Sequence, residues 1–200
     1  MIYRPVRGRP ARLFTGDEPA SDDVLADPAD PKLDYITRLA VQATGADIGG
    51  ISLMFQSRIW LPSRIGVQDC YLARAGSFCT SAVEEGSGWF EVEDASRDPR
   101  FAGNPLVSQV PHFRHYAAVP LQGDSAHLLG TLWVMGRAPR RLDVAQTAQL
   151  RLMARIVVDM LELRYCDAVT GMFNRAVFLQ HLERMLAERP GATLSGGMVD

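Results

Sequence analysis

The fold of this chain is decided by two neighbouring stretches, DASRDPRFAGNPLV at residues 94–107 and HFRHYAAVPL at residues 112–121. In the first stretch, each residue that precedes a proline is held in an extended or turn geometry, so the segment is rigid without being a helix or a strand. In the second, the apolar run at residues 116–121 is typical of a strand. We therefore expect a long structured loop over residues 94–109 that leads to this strand.

Regular elements are predicted on both sides of the loop. A helix begins at Pro31, after the N-cap residue Asp30, and ends at Gly45. Strands joined by short polar turns favour an antiparallel sheet, and helices at both ends of the run favour a helical layer on one face, so the predicted class is α+β. The other predicted elements are a half-buried strand at 51–55, strands at 58–61, 89–93 and 128–135, and a short helix at 77–85 closed by Gly86.

The longest predicted helix runs from Asp143 to about Cys166, and Asp143 and Gln146 are placed as the N-cap and N3 residues of a capping box. It carries two apolar faces, which favour packing on its own sheet and on a second copy, so a homodimer through residues 143–166 is expected. A helix packed only on its own domain is the alternative. The dimer seam, with the a/d spacing of a coiled coil, is Leu150, Met153, Val157 and Met160, and the second face is Leu152, Ile156, Leu161 and Leu163.

Composition indicates an ordinary globular domain plus a fragment. Of the 200 residues, 47% are apolar and 22% charged, and the formal net charge of −2 gives no general attraction to nucleic acid or to an anionic membrane. No apolar run is long enough to span a membrane and no secretory signal is present, so a cytoplasmic location is expected. Three cysteines without a C-x-x-C pair argue against a disulfide framework and a closed zinc site. Residues 1–30 lack apolar periodicity and are expected to form a disordered arm.

The order of elements and several local motifs resemble a GAF domain of the kind that precedes bacterial signalling outputs. The resemblance covers about residues 31–165 and rests on Asp94 with DPRF at 98–101, NPLV at 104–107, and Arg114 with YA at 116–117 and VPL at 119–121. It implies a central antiparallel sheet, terminal helices on one face, and loops that cover a pocket on the other. By this reading residues 31–142 are a sensor domain and residues 143–166 its coiled-coil linker helix.

The implied pocket would take an unknown small molecule that is not covalently bound. As a binding site, Arg100 and Arg114 offer forked donors to a carboxylate or phosphate between aromatic walls. As structure, either arginine pairs with Asp94 and ties the loop to the sheet. The full expected ligand-binding set is Cys79, Asp94, Arg100, Phe101, Asn104, Phe113, Arg114 and Tyr116.

Two cysteines allow other interpretations. Cys79 lies near the start of a short helix, where the helix dipole favours a reactive thiolate, although a core role is the alternative. Together with Cys70 it resembles the nucleophile and resolving thiol of a free-methionine-sulfoxide reductase, which also has a GAF fold. His112 and His115 have no standard zinc spacing to these cysteines.

The end of the chain, residues 167–200, resembles the N-terminal fragment of a GGDEF domain, the family that makes cyclic di-GMP from two GTP molecules. DAVTGMFNRAVF at residues 167–178 matches the D-x-L-T-G-L-x-N-R-x-x-F start of that family, with Val169 and Met172 at leucine positions. The resemblance implies that Asp200 is a magnesium ligand in an intact cyclase domain. The catalytic GGDEF motif itself is absent from the sequence.

We therefore expect a sensory module that controls an attached diguanylate cyclase, with no catalytic residues of its own. The alternatives are a ligand-free GAF dimerisation module and the thiol enzyme.

Overall fold

The computed structural model describes residues 31–54, 58–123 and 128–165, and the chain divides into two units, residues 1–158 and 159–200. The first unit contains the sheet and its helices. The second contributes only residues 159–165, the end of the last helix. The elements are α1 (Pro31–Thr44), β1 (Ile48–Met54), β2 (Arg58–Ile65), β3 (Tyr71–Ala73), α2 (Phe78–Glu85), β4 (Phe90–Val92), α3 (Pro105–Ser108), β5 (His115–Gln122), β6 (Leu128–Gly136) and α4 (Val144–Tyr165).

The six strands form one antiparallel sheet in the order β3-β2-β1-β6-β5-β4. At its centre, Trp133 of β6 lies opposite Gly50 of β1 and Ala118 of β5. The sheet with helices on its faces confirms the predicted α+β class. None of the described helices is both long and apolar enough to cross a lipid bilayer.

Helices cover both faces of the sheet. On one face, α1 contacts β2 through a hydrogen bond of 2.7 Å between the Thr37 and Ser63 hydroxyls. On the opposite face, α2 packs its Phe78 ring against the Tyr116 ring of β5. Because successive strand residues point to opposite faces, each strand serves both layers. We call these two sides of the sheet the α1 face and the α2 face.

The prediction that β1 is half-buried is wrong. Ser52 and Met54, expected on the solvent side, are buried, and Ile51 is buried on the other face. The strand occupies the centre of the sheet, between β2 and β6, and a layer of helix covers each of its faces. Alternation of polar and apolar residues therefore did not mark exposure here, because Ser52 finds a hydroxyl partner inside the protein.

Local signals for helix ends are confirmed where the structure describes them. The Asp143 side chain accepts from the backbone N–H of Gln146 over 2.8 Å, and the backbone N–H of Asp143 donates to Gln146 Oε1 over 3.1 Å. This pair of bonds is the predicted capping box. α1 ends at Thr44 and α2 is followed by Gly86 in the left-handed region. Two short elements were not predicted, β3 and the single turn α3 within the loop at residues 94–109.

Candidate functional site

Five aromatic rings pack together on the α2 face, and we call them the aromatic cluster: Phe78, Phe90, Phe101, Tyr116 and Trp133. The Phe78 and Phe101 rings are stacked with centroids 4.0 Å apart, and Phe78 also contacts Tyr116 at 4.9 Å. Phe90 meets both Phe101 and Tyr116 edge-on, and Tyr116 lies 6.4 Å from Trp133. All five side chains are buried. Such ring pairs contribute beyond their buried area, so this cluster is the centre of the α2 layer.

A glycine makes room for the largest ring of the cluster. A Cβ atom added at Gly50 would lie 2.7 Å from Cζ2 of Trp133, so the indole lies directly over the backbone of β1. The Trp133 Nε1 group is buried and has no hydrogen-bond partner among the residues that the structure describes. An unpaired buried donor is costly, and such groups are candidates for contact with a ligand.

The polar groups beneath α2 are uncharged. The Tyr116 hydroxyl donates to Cys79 Sγ over 3.5 Å, and burial raises the pKa of Tyr116 well above its ordinary value of 10.0, so the phenol is neutral. The Ser52 and Thr131 hydroxyls are 2.6 Å apart and fully buried. In the described part of the chain, no charged side chain is buried on this face. The interior of the site therefore offers aromatic faces, hydroxyls and one indole N–H.

The loop at residues 94–109 fixes α2 at its N-terminal end. Ser77 caps the helix by accepting from the Thr80 amide over 3.0 Å. Just before it, the Gly76 carbonyl accepts from Asn104 Nδ2 over 3.0 Å, while Asn104 Oδ1 accepts from the Leu106 amide. Asn104, predicted as a ligand-binding residue, thus has both ends of its amide engaged with backbone.

Arg100 closes the outer side of the cluster. Its guanidinium forms a forked pair with the Asp98 carboxylate, with Nη2–Oδ2 2.6 Å and Nε–Oδ1 3.0 Å, and lies 3.7 Å from Glu85 of α2. It also lies over the Phe90 and Phe101 rings, 5.3 and 5.1 Å from their centroids. The hydrogen bonds from Arg100 lower the pKa of Asp98, and those to Asp98 raise the pKa of Arg100. Both groups are therefore charged, and Arg100 joins the loop to α2.

Arg114 and Asp94 also have structural partners. Arg114 Nη1 donates to the carbonyls of Val107 and Phe113, over 2.9 and 3.0 Å. Asp94 accepts from the Ser96 hydroxyl and amide, which lowers its pKa, and pairs with Arg97 at 3.4 Å. The expected pairing of Arg100 or Arg114 with Asp94 is wrong at the level of direct contact: Arg100 pairs with Asp98, and Arg114 ties the loop through backbone carbonyls.

The predicted site residues thus fall into two groups. The structure brings Cys79 of α2 together with Phe101 and Tyr116 in the core on the α2 face, and Phe113 is buried in the same core. The polar residues Asp94, Arg100, Asn104 and Arg114 belong to the scaffold of the loop. Sequence reasoning missed three members of the aromatic cluster: Phe78, Phe90 and Trp133. Each of the three lies in a predicted helix or strand. The sequence signal that could have identified two of them is a large aromatic residue within a predicted strand, as for Phe90 and Trp133.

The two described thiols lie in different environments. Cys79 is 4% exposed and belongs to the core, which is the alternative considered for it. Cys70 is exposed, and Arg64 Nη2 donates to its sulfur over 3.0 Å. Both are free thiols. Cys166, the residues 167–178 and Asp200 lie outside the described residues.

On the α1 face of β4 and β5, polar groups hold the start of α4. His115 Nε2 lies 2.9 Å from Glu91 Oε1, and the Leu142 amide donates to the same oxygen over 2.8 Å. Arg140 Nε donates to His115 Nδ1 over 3.4 Å. His115 had been considered only as an unsuitable zinc ligand. No local sequence motif could have revealed this arrangement, because its members come from three separate segments of the chain.

The predicted dimer seam needs correction. Leu150 and Val157 are fully buried within the chain, and Met153 and Met160 are half-buried, so two of the four residues have no surface to offer a partner. The exposed apolar residues of α4 include Leu152 at 65% and Ile156 at 40%. Leu152 and Ile156 belong to the second predicted face, although Leu161 of that face is buried as well, so neither predicted face is exposed along its whole length. Dimerisation itself stays a prediction.

Comparison with known proteins gives the family. The sequence matches the GAF domain family over residues 29–164. It is 35% identical over 174 residues to a cyclic di-GMP phosphodiesterase of Pseudomonas aeruginosa, an alignment that covers 84% of this chain. The chain spans only 29% of the length of that relative.

Solved structures show the same fold. The GAF domain of a phosphoenolpyruvate-protein phosphotransferase from Coxiella burnetii superposes with a TM-score of 0.57 at 15% identity, covering 70% of this chain and 87% of that one. The free methionine-R-sulfoxide reductase of Neisseria meningitidis gives a TM-score of 0.55 at 21% identity, covering 70% and 83%. At these identities the likeness concerns the fold alone. From the match over residues 29–164, together with the sheet and helices described above, this chain belongs to the GAF domain family.

Proposed function

We propose that this chain is the sensory and regulatory module of a longer cyclic di-GMP signalling protein. The observation that carries the proposal is the ribbon formed by β4 and β5. One face of the ribbon places Phe90 and Tyr116 in the aromatic cluster, and the other places Glu91 and His115 against the start of α4. A change in the cluster therefore has a short physical route to the helix that leaves the domain.

The chemistry of the site favours an uncharged ligand. The arginines expected to bind a carboxylate or phosphate are engaged by Asp98 and by backbone carbonyls. Placing an anion beneath α2 would leave its charge without a partner in the interior, which is strongly unfavourable. A small neutral ring with an acceptor for Trp133 Nε1 would replace ring contacts and satisfy that donor. Since the rings are packed together, such a ligand enters only if α2 or the Phe78 side chain moves.

The signalling pathway is suggested by two features. One is the relative whose name is cyclic di-GMP phosphodiesterase. The other is the resemblance of residues 167–178 to the start of a GGDEF domain. From the second we propose that the output attached to this module is a diguanylate cyclase, in which Asp200 would bind magnesium. The module itself would not carry out the reaction.

Dimerisation is part of the proposed mechanism. Exposed Leu152 and Ile156 are four residues apart on α4 and form one apolar strip, and Tyr35 and Leu39 form a similar strip on α1. Burying such strips against a second copy would align the two α4 helices and the output domains that follow them. A ligand shifts such an arrangement only by binding two states with different affinity.

The proposal is tested with a chimera. Residues 31–165 of this chain would replace the matching region of the P. aeruginosa phosphodiesterase, and cyclic di-GMP hydrolysis would be measured with and without Phe78→Ala. A coupling of about 1–3 kcal/mol, the usual range for allosteric pairs, predicts a change in rate of at least about fivefold.

The matched control is Leu106→Ala, which removes an exposed side chain from the same region and should leave the rate unchanged. Equal rates for the chimera, its Phe78→Ala variant and the enzyme without the module would refute a regulatory role. Folding of each variant would be checked by urea unfolding of residues 1–200.

A further inference from the structure

We infer that Glu91, His115 and Arg140 form a latch that couples the β4–β5 ribbon to the start of α4. They are positioning residues: none belongs to the aromatic cluster, and each acts through the backbone it holds. The inference rests on the proposed function only for the direction in which a signal travels. The coupling itself is a property of this chain.

The centre of the latch is one carboxylate oxygen. Glu91 Oε1 accepts from His115 Nε2 on β5 and from the Leu142 amide, which immediately precedes the N-cap of α4. The Glu91 side chain is only 10% exposed and that of His115 is fully buried. Hydrogen bonds to a charged, buried acceptor are the stronger ones, and losing one leaves a buried group unsatisfied. The position of Leu142 relative to the ribbon is therefore closely fixed.

The hydrogen bond from Arg140 determines which ring nitrogen of His115 acts as the donor. Because Arg140 Nε–H donates to His115 Nδ1, that nitrogen is an acceptor and the ring proton lies on Nε2, where it is donated to Glu91. The three side chains thus form one directional chain from the segment before α4, through β5, to β4. Removal of the Glu91 or His115 side chain breaks two of these contacts, and removal of the Arg140 side chain breaks the one to His115.

The segment before α4 is also tied to its other neighbours. The Arg140 amide donates to the Glu93 carbonyl over 3.1 Å, and Arg140 Nη1 donates to the Gly45 carbonyl at the end of α1 over 3.1 Å. One turn into α4, Gln146 Nε2 lies 3.4 Å from the Ala43 and Thr44 carbonyls. The start of α4 therefore moves with the ribbon and with the end of α1, not independently of them.

The coupling follows from the alternation of side chains along a strand. Phe90 and Glu91 are adjacent in β4, and His115 and Tyr116 are adjacent in β5, so each pair has one member in the cluster and one in the latch. A twist or shift of the ribbon that accommodates a change among the rings displaces the latch by the same movement. Apolar contacts tolerate sliding, whereas hydrogen bonds weaken steeply with angle, so the latch transmits the shift to Leu142.

The experiment measures hydrogen exchange at single amides of the full chain. The reporter is the Leu142 amide, which is itself bonded to Glu91, together with the amides of the first turn of α4. The cycle compares wild type, Phe78→Ala, Glu91→Gln and the double variant. Phe78→Ala perturbs the cluster at the Phe101 and Tyr116 rings, with no direct contact to the latch.

In wild type we expect Phe78→Ala to speed exchange at Leu142 by about tenfold or more, the scale of one charge-assisted hydrogen bond. In the Glu91→Gln background Leu142 should already exchange rapidly, and adding Phe78→Ala should change it by less than about twofold. The inference would be overturned if Phe78→Ala and Glu91→Gln each changed the exchange rate at Leu142 by a factor independent of the other. It would also be overturned if the Leu142 amide were as well protected in Glu91→Gln as in wild type.

Two further variants make the result specific. Arg141→Gln removes an exposed charge from the same segment, paired with Glu93 at 3.6 Å, and should leave the cycle intact. If Glu91→Gln does not fold, Arg140→Gln, which removes the bond to His115 Nδ1, takes its place with the same expectation. Because the exchange experiment measures amide protection and not cyclic di-GMP turnover, failure of the cyclic di-GMP proposal leaves this test unaffected, and failure of the latch leaves the chimera test unaffected.

Discussion

Phe90 and Tyr116 face α2, whereas their neighbours Glu91 and His115 face the segment before α4. The first pair joins a layer of packed rings without buried charge, and the second joins a hydrogen-bonded chain around one carboxylate. Apolar packing yields most of the stability of a domain but specifies position weakly, while buried polar contacts contribute less and specify position strictly. We therefore expect substitutions on the ring side to lower stability and those on the polar side to loosen the start of α4.

The largest effect should come from the ring side. Phe101→Ala removes a ring that is 1% exposed and stacked on Phe78, and should lower the free energy of unfolding by about 3–5 kcal/mol. Leu106→Ala, at a residue that is 42% exposed, should stay within about 0.5 kcal/mol of wild type. Urea unfolding with a constant m-value measures both. Similar losses for the two variants would mean that the cluster is not tightly packed.

The next prediction extends the comparison to α4. Leu150→Ala, at a fully buried residue, should lower the free energy of unfolding by about 2–5 kcal/mol, whereas Leu152→Ala should change it little. In sedimentation experiments we expect the opposite order, with Leu152→Ala weakening self-association. If Leu150→Ala instead abolished the dimer and left stability unchanged, the seam predicted from the sequence would be right and the burial of Leu150 wrong.

The polar side should respond to pH. Burial raises the pKa of Glu91, but the hydrogen bonds from His115 and the Leu142 amide outweigh this, so its pKa lies below the ordinary value of 4.5. A lowered folded pKa means that the carboxylate stabilises the fold above pH 4.5 and that this contribution is lost as the pH falls further. The stability advantage of wild type over Glu91→Gln should therefore be constant from pH 7 to about 5.5 and shrink towards pH 3.

Chemical denaturation of the two proteins across this range measures the difference, in which the titration of other carboxylates cancels to first order. An advantage that grew as the pH fell would show that Glu91 is not held as a carboxylate in the fold.

The smallest effect is expected at the rim of the ring side. Arg100→Ala removes a guanidinium that is about half exposed, and exposed ion pairs contribute at most about 1 kcal/mol. A loss of that size with unchanged ligand binding would support the scaffold role. If Arg100→Ala instead abolished binding of a small molecule without altering stability, the arginine would belong to the binding site, as one sequence interpretation held.

The sequence alone predicted much of the framework. Helix ends at Gly45 and Gly86, the capping box of Asp143 and Gln146, and most of the strands depend on residues a few positions apart. Signals of this range are fully present in the sequence, because capping and strand periodicity are local properties. The motifs at residues 94–121 likewise indicated the GAF family, which the family match confirms.

Only the tertiary structure decided how these residues are arranged and which of them are in contact. Arg100 found its partner two residues away in Asp98, but its place over Phe90 and Phe101 depends on the packing of separate segments. The latch joins Glu91 to His115 across 24 positions, and His115 to Arg140 across 25. At such separations no periodicity relates the residues. Their contact is set by strand pairing and by the return of the chain before α4. The role of His115 could therefore not be predicted until its partners were located in the folded sheet.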